Sequence, residues 1–193
     1  MKKLIIDFIW FIAFIITSPL IALSLIGTKI LKTDELFLLG SQILSLVPAL
    51  LGAYLRSAFY KCTLDEFHLQ GYILFGGLIS KRQTRIGKNF GIGAYSLIGY
   101  AHIGDKVAIG NKVSILSGRH QHNFDDPEVG ILEKDGVYAC VTIGDNVFIG
   151  ENSVIMANIG EKSIIGAGSV VVKDIPPYSV AVGNPAKVIK SRK

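Results

Sequence analysis

An aliphatic residue recurs at every sixth position through most of the C-terminal part of this chain of 193 residues. The periodic positions are Ile86, Ile92, Ile98, Ile103, Ile109, Ile115, Ile143, Ile149, Ile155, Ile159, Ile165 and Val171. Because a helix repeats near 3.6 residues and a strand near 2, a period of six predicts neither element alone and is typical of a parallel β-helix. In that fold three short strands form a triangular coil of about 18 residues, and the coils stack at the ~4.8 Å strand spacing. We expect the aliphatic side chains to fill the core and Gly, Asn or Asp to occupy the corners.

Three breaks interrupt the six-residue period. The interval shortens to five residues between Ile98 and Ile103 and to four between Ile155 and Ile159, and we expect both changes to tighten corners. The third break, residues 117–141, is a long excursion that begins Ser-Gly-Arg-His-Gln-His-Asn-Phe-Asp-Asp-Pro-Glu. Loops that leave a rigid scaffold commonly carry function, so this excursion is the first candidate for a functional site.

The first 60 residues differ in composition from the rest. They contain 8 of the 35 charged residues, whereas residues 61–193 contain 18 of the 21 glycines. Leu4–Ile26 has one charge, Asp7, and as a helix would extend roughly 35 Å, enough to cross a bilayer core of about 30 Å. A removable signal peptide is disfavoured, because the run exceeds the ~7–15 residues of its apolar segment and no small-x-small cleavage site follows.

A second apolar run, Leu36–Leu55, carries no charge. Each run has a central proline, Pro19 or Pro48, so two full spans and a re-entrant hairpin both remain open. Four positive residues flank the two runs on their outer sides, Lys2, Lys3, Arg56 and Lys61, whereas the segment between the runs has two, Lys29 and Lys32. This excess favours a cytoplasmic location for both outer ends of the hairpin. The predicted organisation is a membrane-embedded helical hairpin at 1–60, a β-helix at 61–175 and a C-terminal tail at 176–193.

Composition excludes several other classes of protein. With 50% hydrophobic residues, the chain has too much aliphatic surface to remain disordered. Cys62 and Cys140 are too few for a disulfide scaffold, so a reducing cytosol suits the β-helix. The net charge of +5 is mild and no stripe of aromatic and basic residues is present, so nucleic acid is not an expected partner.

The repeat resembles that of the hexapeptide-repeat acyltransferases of the left-handed β-helix fold, over about residues 64–190. The similarity lies in the Ile-Gly hexads, the His-bearing loop and the segments 141–150, 165–177 and 181–189. The chain is most similar to sugar O-acetyltransferases related to the galactoside and maltose enzymes and to xenobiotic acetyltransferases. Residues 1–60, the apolar head of the chain, resemble the corresponding part of membrane-attached capsule and exopolysaccharide acetyltransferases. The resemblance implies left-handed coiling and a homotrimer that binds acetyl-CoA in clefts between neighbouring β-helices.

Acetyl transfer to a sugar hydroxyl needs a base, because a hydroxyl is a poor nucleophile at neutral pH, and a neutral imidazole suits that role. His120 follows Val107 by the 13-residue path that leads to the catalytic histidine in galactoside enzymes, so the resemblance implies that His120 is the general base. His122 is the alternative base or a sugar contact. The polar residues around them either contact the acceptor or form a plain solvated loop: Arg119, Asp125, Asp126 and Glu128.

The resemblance also implies a groove for acetyl-CoA along the last coils. Its implied residues are Phe148, Gly166, Ala167, Gly168, Lys173 and Lys187. In similar enzymes an aromatic ring forms a wall for the pantetheine arm, amides of the Gly-Ala-Gly segment meet that arm, and the two lysine positions bind the CoA phosphates. No metal is expected. The acceptor site differs from the galactoside type, because Gly93 stands where those enzymes place a sugar-binding Asn.

We therefore expect an acetyl-CoA-dependent O-acetyltransferase that acts on a polysaccharide or lipid-linked sugar precursor at the cytoplasmic face of a bacterial inner membrane. A xenobiotic or small-sugar acetyltransferase is the alternative. Two less favoured alternatives are a non-catalytic scaffold and a zinc carbonic anhydrase-like β-helix, for which His102 and His120 are 18 residues, or about one coil, apart.

Overall fold

Helices form the N-terminal part of the chain in a computed structural model that describes residues 2–121, 128, 130, 133 and 136–193. They are α1 (Lys2–Ile26), which continues as a π-helical stretch at Gly27–Leu31, α2 (Glu35–Ser45) and α3 (Ala49–Thr63). The second apolar run is therefore two helices and not one, which argues against two full spans, while the membrane-embedded hairpin stays a prediction. Pro48 has no N–H to donate and adopts an extended conformation as the N-cap of α3, so the chain turns there.

Short strands follow and wind into a three-sided prism. In chain order they are β1 (Glu66–Phe67), β2 (Gly71–Ile73), β3 (Leu78–Ile79), β4 (Arg85–Ile86), β5 (Phe90–Ile92), β6 (Leu97–Ile98), β7 (Ala101–Ile103), β8 (Ala108–Ile109), β9 (Ser114–Ile115), β10 (Val141–Ile143), β11 (Phe148–Ile149), β12 (Val154–Ile155), β13 (Ile164–Ile165), β14 (Val170–Val171), β15 (Ser179–Val182) and β16 (Lys187–Ser191). Parallel pairing gives sheet A (β1, β4, β7, β10), sheet B (β2, β5, β8, β11, β13, β15) and sheet C (β3, β6, β9, β12, β14). Sheet B has one strand per coil, so the described residues form six coils, and the predicted parallel β-helix is confirmed.

The periodic aliphatic residues form three columns inside the prism, one behind each sheet. The columns are Phe67, Ile86, Ile103, Ile143, Ile159 and Ile175 behind sheet A, Ile73, Ile92, Ile109, Ile149, Ile165 and Ala181 behind sheet B, and Ile79, Ile98, Ile115, Ile155 and Val171 behind sheet C. All of these side chains are at most 6% exposed. Because burial of one such aliphatic side chain contributes about 1.5–3 kcal/mol, these columns supply the main stabilisation of the prism.

Both boundaries of the β-helix lie further along the chain than predicted. α3 continues past residue 60 to Thr63, and β15 pairs in parallel with β13 well after residue 175. β16 then returns antiparallel to β15, with Lys187 opposite Val182. The predicted tail at 176–193 is thus the last coil and its closing strand, because Ile175 and Ala181 continue the six-residue period into the core.

The corners use residue types that the periodicity did not predict. Positive φ occurs at Asn89, Tyr95, Lys106, Lys112, Asn146, Asn152, Lys162 and Tyr178, and at the glycines Gly76 and Gly168. Lysine and tyrosine thus join asparagine and glycine at the corners, where a backbone hydrogen bond to the preceding coil, such as Lys106 N–H to the Lys88 carbonyl at 2.7 Å, compensates the strain. The glycine of the Ile-Gly pair is needed for a different reason. An added Cβ at Gly160 would lie 2.3 Å from the backbone nitrogen of Pro177 in the next coil.

The irregular intervals of the described coils fall at one corner. The turns from sheet A to sheet B and from sheet B to sheet C, named the A–B and B–C corners, keep six residues between successive core positions. The turn from sheet C to sheet A, named the C–A corner, contains the departures: seven residues from Ile79 to Ile86, five from Ile98 to Ile103, four from Ile155 to Ile159, four from Val171 to Ile175, and the excursion after Ile115.

A buried arginine joins α2 and α3 to the first coil of the prism. The Arg56 guanidinium donates from Nε and Nη2 to the Ile73 carbonyl at 3.1 and 3.0 Å. From Nη1 it donates to the carbonyls of Leu44 and Val47 at 2.9 and 2.8 Å. Since an unpaired buried charge is strongly destabilising, this network fixes the two helices as a cap on the first coil.

α1 packs on this cap and is the most apolar element of the chain. The helical stretch Lys3–Leu31 has 29 residues and is long and apolar enough to cross a membrane, judged by length and composition, and 17% of its most apolar window is buried. The side that packs on α2 and α3 carries the small buried residues Ala13, Thr17 and Ser24. The remaining sides of α1 expose large apolar side chains.

Candidate active site

The excursion leaves the third coil at the C–A corner and borders a cleft of about 450 Å³. Four segments that are distant in sequence meet there, and they contribute Arg119, His120, Cys140, Asn158, Lys173 and Asp174, among others. His120 and Lys173 are both exposed residues that line this cleft. Two of the residues predicted for catalysis and cofactor binding are therefore brought together by the fold.

Hydrogen bonds between the two ends of the excursion hold His120 at the cleft. The Val137 N–H donates to the His120 carbonyl at 2.7 Å, and the Ala139 N–H donates to the Ser117 carbonyl at 2.9 Å. Gly118 has a φ of +81°, and a Cβ there would lie 2.9 Å from the Ala139 Cβ, so a glycine is needed for this close approach. The backbone that carries the imidazole is thereby fixed, while its side chain stays free to meet a ligand.

Arg119 connects the excursion to the fifth coil. Its Nη1 donates to the Val172 carbonyl at 2.9 Å, directly before Lys173 in the chain. This contact gives Arg119 a structural role in the cleft, and its contact with an acceptor stays a prediction. Two further predicted acceptor contacts and the alternative base lie outside the described residues: Asp125, Asp126 and His122.

The cleft also contains a polar pair that was not predicted. Asp174 accepts hydrogen bonds from the backbone N–H of Asn158 through Oδ1 at 2.9 Å and from Asn158 Nδ2 through Oδ2 at 3.3 Å. Asn158 Oδ1 in turn accepts from the Thr142 N–H at 2.8 Å. These side chains form a column because successive coils are 16 residues long here. The 16-residue interval between Asn158 and Asp174 is the sequence signal that could have placed them together.

Cys140 is a half-buried thiol beside the same cleft. Burial raises its pKa, an effect that outweighs the opposite influences of a hydrogen bond to the His102 backbone, the charge of Arg85 and a hydrogen bond to Tyr100. A thiol with a raised pKa remains protonated at neutral pH and is a poor nucleophile. Because Asp174 is already engaged by Asn158, the described group best suited to accept a proton from a hydroxyl is the imidazole of His120.

The predicted cofactor residues fall into two groups on the prism. Lys173 lies in the C–A cleft with His120. Phe148 is 48% exposed on the outer face of sheet B, and residues 166–168 form the adjacent turn from sheet B to sheet C. Lys187 begins β16 at the end of the same sheet. Because these faces of a triangular prism point in different directions, one chain does not bring the two groups together.

The two histidines considered for a zinc site are not stacked. His102 lies on β7, and its neighbour in the next coil of sheet A is Thr142. The chain leaves the prism at the excursion before it returns to sheet A, so the 18-residue interval does not place His120 beside His102. Within the described ranges, no three His, Cys, Asp or Glu side chains are grouped in a way that could hold a metal ion.

Sequence comparisons relate the cleft region to known transferases. Residues 140–173 match the hexapeptide repeat of succinyl-transferase. Galactoside O-acetyltransferase of Escherichia coli (strain K12) is 44% identical over 92 residues, which are 46% of this chain and 42% of that protein. In such matches to curated relatives, the chain spans less than half of the relative's own length.

Solved structures extend the similarity to most of the chain. The maltose O-acetyltransferase from Clostridium difficile 630 has a TM-score of 0.73 at 27% identity, and the alignment covers 87% of this chain and 91% of that one. A galactoside acetyltransferase in complex with coenzyme A has a TM-score of 0.56 at 27% identity, with 81% and 80% covered. The repeat, the six-coil prism and these relatives make the chain similar to hexapeptide-repeat acetyltransferases.

Proposed function

We propose that this chain is an acetyl-CoA-dependent O-acetyltransferase that uses His120 as its general base. The observation that carries the proposal is the C–A cleft, in which an exposed imidazole and the Lys173 ammonium lie together. In the reaction the imidazole takes the proton of the acceptor hydroxyl while its oxygen attacks the thioester carbonyl carbon. The carbon–sulfur bond then breaks, and the proton passes to the departing CoA sulfur. General-base assistance of this kind is typically worth about 10²–10⁴ in rate.

The proposed cofactor site uses both groups of residues on the prism. A solved galactoside acetyltransferase at 27% identity holds coenzyme A, which supports the same cofactor here. Lys173 and Lys187 supply ammonium groups for the CoA phosphates, and such groups are effective point-charge partners of phosphate. Phe148 offers an exposed ring, and the turn at Gly166, Ala167 and Gly168 offers backbone amides, to the pantetheine arm.

A homotrimer is proposed because it joins these two groups. In a closed ring of three prisms, the C–A cleft of one subunit faces the sheet B side of the next. Sheet B suits such a contact, since its outer face carries Phe148, Ile164 and Val180 on adjacent strands. Each complete site would then take His120 and Lys173 from one subunit and the pantetheine wall from its neighbour.

The proposed acceptor is a polysaccharide or lipid-linked sugar precursor at the cytoplasmic face of the bacterial inner membrane. The support is the exposed apolar surface of α1, which a soluble enzyme acting on soluble sugars would not need. A membrane-bound enzyme and a membrane-held acceptor meet in two dimensions, which raises their encounter rate. The positive residues at the ends of the apolar head favour the cytoplasmic side.

A small free sugar is the second candidate acceptor. The similarity to galactoside and maltose O-acetyltransferases favours it, because both are named for small sugars. Gly93, at the position where galactoside-type enzymes are expected to carry a sugar-binding Asn, argues against the same acceptor.

Mass spectrometry decides between these acceptors. The full-length protein in membrane vesicles is supplied with isotopically labelled acetyl-CoA and, separately, with lipid-extracted glycans, a galactoside or maltose. We expect labelled acetyl on the lipid-extracted glycans and matching loss of acetyl from surface glycans in cells that lack the protein. Transfer to free sugars alone would favour the second candidate. Absence of transfer to any acceptor, together with unchanged surface glycans, would show that the proposal is wrong.

A further inference from the structure

The first coil of the prism is adjacent to both the first part of α1 and the residues that follow this helix. Trp10 and Tyr72 of β2 line the same cavity of about 290 Å³. Beyond the end of the helix, Asp34 Oδ1 is 3.6 Å from Arg82 Nε. Asp34 Oδ2 accepts a hydrogen bond from Gln83 Nε2 at 3.3 Å. The two anchor points therefore lie on opposite ends of a long helix and on one turn of the solenoid.

These contacts fix the direction of α1 relative to the prism. From Trp10 to Leu31 a helix rises about 32 Å. If α1 were parallel to the prism axis, its ends would differ in height by that amount. Tyr72 and Arg82 belong to the same coil, however, and one coil advances only about 4.8 Å. α1 therefore runs across the capped end of the prism, close to perpendicular to its axis.

The side of α1 that does not pack on α2 and α3 is a continuous apolar surface. Leu4, Phe8, Phe11 and Ile15 follow one another along one face and expose 74%, 63%, 61% and 55% of their surface. A groove of about 460 Å³ between α1 and the start of α3 is lined by apolar and aromatic side chains and continues this surface to Leu50. An exposed apolar surface that is larger than a few hundred Å² marks an interaction site on a soluble domain.

We infer that α1 lies in the plane of the cytoplasmic leaflet, without crossing the bilayer, and that the prism stands end-on beneath it. The inference rests on the proposed membrane attachment and identifies the partner as a bilayer with anionic head groups. Exposed Lys3 at one end of α1, and Lys29 and Lys32 at the other, place positive charge at both edges of the apolar surface. Asp7 lies one turn after Lys3, at the margin of this surface. A crossing helix would carry the first coil, including the charged Arg82, into the hydrocarbon at one end.

Cysteine labelling from each side of the membrane tests this orientation. In a full-length chain with Cys62→Ser and Cys140→Ala, single Lys3→Cys and Lys29→Cys variants are treated with a membrane-impermeant maleimide. We expect both positions to react in inverted inner-membrane vesicles and neither to react in intact spheroplasts. A Tyr95→Cys variant, at an exposed corner of the prism, is the matched control for cytoplasmic accessibility. Reaction of Lys3→Cys and Lys29→Cys from opposite sides would show that α1 crosses the bilayer and would overturn the inference.

A second measurement separates failure of the inference from failure of the proposed function. The double variant Phe11→Lys/Ile15→Lys is compared with Tyr95→Lys/Leu97→Lys, which adds the same charge at exposed apolar residues of the prism. We expect the α1 variant to leave the membrane fraction while it retains CoA binding, and the prism variant to remain bound. A wild-type chain found wholly in the soluble fraction would overturn both membrane proposals, whereas labelling from opposite sides overturns the in-plane orientation alone.

Discussion

The A–B and B–C corners keep one length in every described coil, whereas the C–A corner changes length along the prism. At the A–B corner, Asp105 Oδ1 accepts the Lys88 N–H at 2.7 Å, and Asp145 Oδ1 accepts the Asp105 N–H at 2.8 Å. At the B–C corner, Asn111 Oδ1 accepts the Ala94 N–H at 2.8 Å. In these three corners a side chain of the next coil accepts the backbone N–H, so a change in corner length would leave that group without its partner.

At the C–A corner the Ser117 hydroxyl likewise accepts the Tyr100 N–H at 2.9 Å, yet the coil that carries the excursion changes length without breaking the stacking. The chain leaves after Ile115 and returns at Val141, and the Val141 N–H donates to the Tyr100 carbonyl of the preceding coil at 3.0 Å. Stacking therefore resumes in register whatever lies between. The two corners of constant length maintain the prism, and the third accommodates the inserted excursion. This explains why the cleft with His120 is at the C–A corner.

The largest expected effect is loss of activity on His120→Ala. We expect the rate of acetyl transfer to fall at least about 100-fold, because the base that takes the hydroxyl proton is removed. The dissociation constant of CoA and the oligomeric mass should not change. His102→Ala, which changes a histidine outside this cleft, is the matched control and should retain near wild-type activity. A His120→Ala variant that keeps more than about a tenth of the wild-type rate would exclude His120 as the base.

The next effect concerns the stability of a regular corner. Gly160→Ala should lower the free energy of unfolding by about 1–3 kcal/mol, because its Cβ would meet the Pro177 nitrogen at 2.3 Å. Lys106→Gly, at the A–B corner of another coil, is the control and should change that free energy by less than about 1 kcal/mol. Glycine relieves the strain of the positive φ, but it also increases the entropy of the unfolded chain, and the two effects oppose each other. Thermal unfolding followed by circular dichroism measures both. Equal losses of unfolding free energy in the two variants would contradict the conclusion that Gly160 is needed for the close approach of neighbouring coils.

Charge reversal tests whether the two separated groups serve one cofactor. Lys173→Glu and Lys187→Glu should each raise the KM for acetyl-CoA by about tenfold, the effect of losing roughly 1.4 kcal/mol of binding, with a smaller change in the KM for the acceptor. Lys88→Glu, an exposed lysine at the A–B corner, is the control. Steady-state kinetics that show unchanged KM for acetyl-CoA in both variants would refute the assignment of these lysines.

The smallest effect is the pH dependence of Cys140 alkylation. Because burial raises the pKa of this thiol, its reactive thiolate form is less populated at neutral pH than that of an ordinary cysteine. In a Cys62→Ser background, mass spectrometry should show slow alkylation by iodoacetamide at neutral pH, with the rise in rate displaced to higher pH than for free cysteine. A rise at or below the ordinary thiol range would contradict the raised pKa and would reopen a nucleophilic role at this corner.

The sequence predicts the regular part of the prism better than its edges. The periodic residues from Ile86 to Val171 are the core columns, because a buried position recurs wherever the coil length is constant. The break of the second apolar run at Pro48 was also visible, although the docking of α2 and α3 depends on the Arg56 network, which has no sequence pattern. Element ends were misplaced at residues 60 and 175 because composition changes there more gradually than structure.

The candidate site was only partly predictable for a geometric reason. The face on which a residue lies depends on its position within a coil, and the C–A intervals alter coil length from one turn to the next. Phe148 and Lys173 both belong to the last coils, yet they lie on different faces. The pairing of Asn158 with Asp174 likewise needs the shorter coil, which becomes clear only once the sheets are aligned. The excursion itself was predicted as the functional region because it is the largest break in the period.

In the proposed membrane arrangement, the stacked coils between the helical cap and the excursion would set the distance from the bilayer to the cleft. His120 leaves the third coil, two strand spacings or ~10 Å from the first, and the layer formed by α2 and α3 adds about another 10 Å. With α1 at the lipid surface, the reacting hydroxyl must stand roughly 20 Å from the head groups. An acceptor whose first sugar is fixed to its lipid would fall short of the imidazole, whereas one already extended by several sugars would reach it. The number of coils would thereby select acceptors by the stage of their elongation.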